Sequence, residues 1–238
     1  MAIAFDPISD DFLSDMDALS ELVTLVAAGG GSSKSRVSSI NSATLLLAAT
    51  FEEFVREMGR QFAREVVSRA DSVANLPRKL TATAWKRALE NIARAKIDTG
   101  GTPTPLLQIA AESRLEIEAI CKFLEGDTSQ DIYKHIAHNE NNMRPEQINA
   151  IFKVCDLGNI CGKIAETDFV KNFLCEENDS IALSKLTVAL NDFMEKRNVI
   201  AHSLNPGSSA SAEQFLAEIN LFRAISLAMA ECLPRHFS

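Results

Sequence analysis

Apolar residues recur along this chain at helical spacing almost throughout. Over residues 7–27, Phe12, Met16, Leu19, Leu22, Val23 and Val26 return at threes and fours, as one buried helix face requires. Asp10, Asp11, Asp15 and Asp17 load the first half of this segment with the charge that suits a helix N-terminus. Gly29-Gly30-Gly31-Ser32-Ser33 then breaks the pattern, and the loop is expected to run on through Lys34 and Ser35. A long helix is expected over about 37–70, opening on the apolar run SATLLLAATFEEFV. Its second half sets Arg56, Arg60 and Arg64 in one stripe, with Glu52 a turn earlier and able to pair with Arg56. That stripe reads as a solvated face.

Pro77 marks a boundary, followed by a helix over 80–97 and a turn cluster, DTGGTPTP, at 98–105. The segment 106–124 is helical, with Ile117, Ile120 and Leu124 in register; 126–144 is polar and loosely patterned. Short helices are expected over 145–155 and 166–175. A long one covers 180–202, with Ile181, Leu186, Leu190 and Phe193 on one side, and Asn205-Pro206-Gly207-Ser208 ends it. The last helix covers 211–231. No segment alternates with period two and no internal repeat is present, so the fold class expected is all-α with no significant sheet.

Composition narrows the functional classes. The 238 residues are 46% apolar and 24% charged, which is ordinary for a globular protein and too apolar for a disordered one. The formal net charge of −8 is the opposite of what coats nucleic acid without selectivity, so any nucleic-acid role must use a local site. Cys121, Cys155, Cys161, Cys175 and Cys232 contain no CxxC pair and are expected to be plain buried thiols. The N-terminus has neither a basic n-region nor an apolar h-region, and no window is apolar enough to span a membrane. A cytoplasmic setting is the expectation.

Three candidate sites are weak on residue grounds. The GGGSSKS stretch lacks the glycine before lysine, and the preceding strand, that a phosphate loop needs. His135 and His138 have helical metal-ligand spacing but no glutamate between them, so no metal and no cofactor is expected; a helical metalloenzyme is the least favoured reading. Arg78, Lys79, Lys86, Arg87, Arg94 and Lys96 form a basic island around Trp85, against the single acid Glu90. It could track a phosphate backbone, although a solvated helix face is the simpler account.

The stretch Glu195-Lys196-Arg197-Asn198-Val199-Ile200-Ala201-His202-Ser203 carries more chemistry. It places a fixed cation, an amide and an imidazole at the end of an apolar helix, where the macrodipole favours positive charge. Asn198 and His202, four residues apart, share a face; Arg197 and His202 lie about 140° apart. Metal-free RNA cleavage needs a base for the 2′-hydroxyl, an acid for the leaving 5′-oxygen and a cation for the phosphorane charge. Histidine and arginine are suited to those tasks. One chain supplies one of each; a two-fold dimer would supply two.

With these residues in place, the chain resembles the HEPN superfamily, and most closely its branch associated with RNA ligases and phosphatases. Arg197-Asn198-Val199-Ile200-Ala201-His202 matches the family's Arg-x4–6-His signature at the end of a late helix. Leu45-Leu46-Leu47-Ala48-Ala49-Thr50-Phe51-Glu52-Glu53-Phe54-Val55-Arg56 resembles the branch's early helix. The resemblance implies an antiparallel helical bundle of the HEPN type with additional helices. The resemblance covers about residues 37–232, so the division expected is an acidic helix and Gly-rich loop over 1–36, read from the residues, and a HEPN-like helical domain over 37–238 with a variable insertion at about 75–165. It further implies a homodimer with a composite active site. The activity implied is metal-independent endoribonuclease action leaving 2′,3′-cyclic phosphate and 5′-hydroxyl ends, in a toxin–antitoxin or anti-phage setting with a restraining partner protein. Arg197 and His202 would be catalytic, with Asn198 orienting one of them and Glu52, or its rival Glu53, supporting from the early helix. The alternative is a non-catalytic interaction or RNA-binding module.

Overall fold

The computed structural model describes residues 5–29, 32–93, 104–137, 142–202 and 211–237. Ten α-helices are present among them: α1 (Asp6–Ala28), α2 (Ser33–Arg69), α3 (Arg78–Ala93), α4 (Thr104–Leu124), α5 (Tyr133–Ile136), α6 (Pro145–Lys153), α7 (Ile160–Ala165), α8 (Asp168–Leu174), α9 (Asp179–His202) and α10 (Ala212–Cys232). No strand occurs among the described residues, and the all-α expectation holds.

The helix ends follow local chemistry. Ser32 accepts a hydrogen bond from the Ser35 amide at 3.1 Å, so α2 starts earlier than the serine-rich sequence implies and absorbs Lys34. Asn178 accepts from the amides of Ser180 (3.0 Å) and Ile181 (3.1 Å) and so begins α9. Ser211 and Gln214 form a reciprocal capping box at the start of α10. Asn159 caps the short α7, which apolar periodicity alone does not announce.

The described chain forms two compact units. The first holds residues 1–58, 141–149 and 159–238; the second holds 59–140 and 150–158. In the first, α1 packs on α10, and α7 and α8 pack on both α9 and α10. Ser9, Phe12, Met16, Leu19 and Val23 form the buried stripe of α1. Leu22, expected on that stripe, is exposed, because its position is rotated about 80° from the line through Phe12. The core is aromatic. Phe12 stacks on Phe54 with ring centres 4.4 Å apart, Phe51 meets Phe222 at 4.4 Å, and Phe193 meets the same Phe222 edge-on at 4.7 Å. Phe222 of α10 thereby joins α2 to α9. The buried face of α9 is Ala182, Leu186, Leu190, Phe193 and Met194; Ile181 falls off it and is exposed.

In the second unit α3 packs on α4 and α5. Gly59 of α2 leaves room for Ile151: a Cβ added there would lie 2.5 Å from the Ile151 Cγ2 atom. Phe62 and Phe152 meet edge-on at 5.6 Å. Arg64 lies over the Tyr133 ring, 5.1 Å from its centre. The arginine stripe of α2 is therefore half-buried, not a solvated face.

The cysteine expectation needs one correction. Cys155, Cys161 and Cys232 are buried and Cys121 is half-buried, but Cys175 is exposed at the left-handed residue ending α8. The glycine pair Gly30 and Gly31, and the turns at 98–103 and 203–210, lie outside the described residues.

Candidate functional site

The last three turns of α9 carry Asn191, Glu195, Asn198 and His202. At about 100° per residue these four fall within about 60° of one another and form one polar stripe. The opposite side is fixed by the core. Phe193 and Met194 are buried, and the Lys196 ammonium reaches Glu218 of α10 at 2.6 Å while lying 5.7 Å from the Phe193 ring centre. Burial raises the Glu218 carboxyl, with the Lys196 hydrogen bond opposing the shift.

A segment the sequence left loosely patterned runs against the polar stripe. Asn142 donates from Nδ2 to the Asn198 Oδ1 at 2.7 Å, and Arg144 reaches Glu195 at 2.9 Å and the Asn191 Oδ1 at 3.4 Å. The Asn198 Oδ1 accepts a second bond, from the Arg197 guanidinium at 3.3 Å. Two N–H donors on one atom settle which end of the amide is the oxygen. The Asn198 Nδ2 group is therefore turned away from both and has no acceptor among the described residues. Arg197 is half-buried, and its contact with Asn198 places a fixed cation beside that free amide. His202 is the exposed final residue of α9, one turn beyond Asn198, with no hydrogen bond or ion pair to any described residue.

Glu52 and Glu53 differ sharply. The Glu52 side chain is only 13% exposed; its Oε2 atom takes Arg56 at 3.3 Å, and its buried Oε1 atom has no hydrogen-bond partner among the described residues. Glu53 is mostly exposed and takes the other arm of Arg56 at 3.1 Å. No hydrogen bond or ion pair joins Glu52 to Arg197, Asn198 or His202 among the described residues. Three of the four expected site residues thus lie on one stretch of helix, while Glu52 lies on α2 with no direct bond to them among the described residues. Asn142 and Arg144 were missed. Their only signal is the run of polar side chains just before Pro145.

The other candidates resolve as follows. His135 is buried; its Nε2 atom lies 3.0 Å from the Glu116 carboxylate and its Nδ1 atom 3.5 Å from the Asn91 amide, so both ring nitrogens are engaged. No group of three or more ligating side chains occurs among the described residues, and His138 lies outside them. Arg87 donates to the carbonyl of His135 at 3.0 Å and also to that of Ile136, and burial lowers its titration. It is a structural tie in the second unit. Lys86 pairs with Glu90 at 3.6 Å, Arg78 and Lys79 are exposed in the first turn of α3, and Arg94 and Lys96 lie outside the described residues. No described helix is long and apolar enough to cross a membrane.

An all-α fold with arginine, asparagine and histidine closing a late helix defines a domain of the HEPN class. Comparison with known families makes this specific: the family described as RiboL-PSP-HEPN matches residues 10–234, and the chain belongs to it. No curated protein and no solved structure matches significantly.

Proposed function

We propose that the protein is a metal-independent endoribonuclease. The observation that carries this reading is the end of α9: a half-buried Arg197, an Asn198 amide whose oxygen is held by two donors, and an exposed His202 on the same helix face as Asn198. Family membership supports it, since the Arg-x4-His spacing is intact. In the reaction, one imidazole takes the 2′-hydroxyl proton and the oxygen attacks phosphorus. A second imidazole, in its protonated form, delivers a proton to the leaving 5′-oxygen. The products are a 2′,3′-cyclic phosphate and a 5′-hydroxyl. Arg197 holds the phosphorane charge, and the free Asn198 Nδ2 donates to the same group. One subunit supplies one histidine, so the reaction calls for a homodimer that brings two α9 ends together. A toxin or phage-defence setting, with a restraining protein partner, suits an enzyme that degrades RNA.

One observation favours a second reading, a non-catalytic interaction module. The unit bearing the motif holds 11 basic against 20 acidic side chains, and such a balance repels RNA at long range. The test is cleavage of RNA in EDTA by the wild type beside His202→Ala and Arg197→Ala, with circular dichroism to confirm folding. The nuclease reading expects both variants to lose cleavage. Cutting at wild-type rate by both would remove the assignment, and a folded wild type that never cuts would favour the interaction module.

A further inference from the structure

The second unit carries a feature that the α9 site does not use. Its charge is nearly balanced, 13 basic to 12 acidic side chains, in a chain that is otherwise strongly acidic. Between the first half of α3 and the end of α4 lies a cleft of about 510 Å³ lined by Thr81, Ala82, Trp85, Cys121, Leu124 and Glu125. Trp85, the only tryptophan, is 38% exposed there, and Leu124 is 43% exposed. Among the described aromatics only Phe169 (40%) and Phe173 (37%) are comparably open to water, and neither lines this cleft.

The charges beside this cleft point to its occupant. Arg78 and Lys79 occupy the first turn of α3, and no acid accompanies them. That is the positive end of the helix dipole, where acidic side chains are the stabilising choice. Neither cation has an ion-pair partner among the described residues. Helix dipole and side chains therefore add at one place, a favourable seat for a phosphate. Arg78 and Trp85 are seven residues apart, two turns or about 10 Å along one helix face. Helical side chains lean toward the N-terminus, the end of α3 that carries the two cations.

We propose that this cleft binds single-stranded RNA, an unpaired base stacking on Trp85 while Arg78 and Lys79 hold the adjoining phosphates. The proposal rests on the reading of the protein as one that acts on RNA. Glu125 at the cleft edge cannot favour phosphate, but its carboxylate accepts from an exocyclic amine. The site accordingly favours cytosine over uracil.

The experiment is a fluorescence titration of the full chain with 2′-O-methyl oligocytidylate of about eight nucleotides. The 2′-blocked strand cannot be cleaved, so binding is read independently of catalysis; a protein that binds but never cuts fails the nuclease reading alone. Emission from the single tryptophan should be quenched on binding. Trp85→Ala should weaken binding of labelled oligonucleotide about 5- to 100-fold, and Trp85→Phe should restore most of it. Phe also keeps the test decisive if the alanine variant misfolds. Replacing Arg78 and Lys79 by alanine should lower the salt slope by about 0.7 per cation removed. Emission unchanged at saturating oligocytidylate would overturn the proposal. So would affinities equal to wild type in both the tryptophan and the double cation variants.

Discussion

Asn198 shows how much one hydrogen bond decides. Its oxygen faces Arg197 and Asn142, so its amide nitrogen faces outward. Losing one preorganised donor to a developing anion costs about 100-fold in rate, and Asn198→Ala should show a loss of that size in single-turnover cleavage. Asn142→Ala removes only the donor that turns the amide. One such bond is worth about 1 kcal/mol, so a loss of about tenfold or less is expected. An Asn142 variant as damaged as the Asn198 variant would mean that Asn142 itself touches substrate. The cysteines give a second check at this scale. Burial pushes the thiols of Cys155, Cys161 and Cys232 from the ordinary 9.0 up to about 12. They should stay protonated and resist iodoacetamide in the native protein at mildly alkaline pH, whereas the exposed Cys175 should react first. Mass spectrometry of the adducts decides this. A thiol raised in the folded state contributes fully to stability below the unfolded value, and that contribution is lost as pH rises from about 9 toward 12. Urea midpoints should fall across that window.

Helices were far more legible than the contacts between them. The buried stripe of α1 could be read from Phe12, Met16, Leu19 and Val23, because a one-sided helix writes its period into the sequence. On α9 the same rule misplaced Ile181, since an exposed isoleucine near a helix start looks no different from a buried one. The motif residues Arg197, Asn198 and His202 were visible for the same reason as the helices, being close together on one element. Asn142 and Arg144 were not, because they meet α9 across about 50 residues of chain and no local spacing records such a contact. The same blindness covers Gly59. It reads as a weak point in a helix, yet the Ile151 side chain occupies the space a Cβ would need. Gly59→Ala should therefore destabilise by about 1–3 kcal/mol through overpacking, despite the gain in helix propensity. A urea midpoint equal to or above wild type would show that Ile151 moves aside at little cost.

At the scale of the whole molecule, charge divides with the units. The unit that carries Arg197 and His202 holds all of the excess acid, and the other is close to neutral. An acidic unit around the motif disfavours non-specific RNA, and the proposed mechanism requires a second subunit to provide both acid and base. Sedimentation at micromolar concentration should therefore find a dimer; a monomer throughout would leave the two-histidine mechanism without its second group. Metal-free catalysis at His202 is tested by incubating total RNA in EDTA with the wild type and with His202→Ala. Cleavage is expected from the wild type alone, with 2′,3′-cyclic phosphate at the new ends. Equal cleavage by both proteins, or cleavage that chelation abolishes, would contradict it.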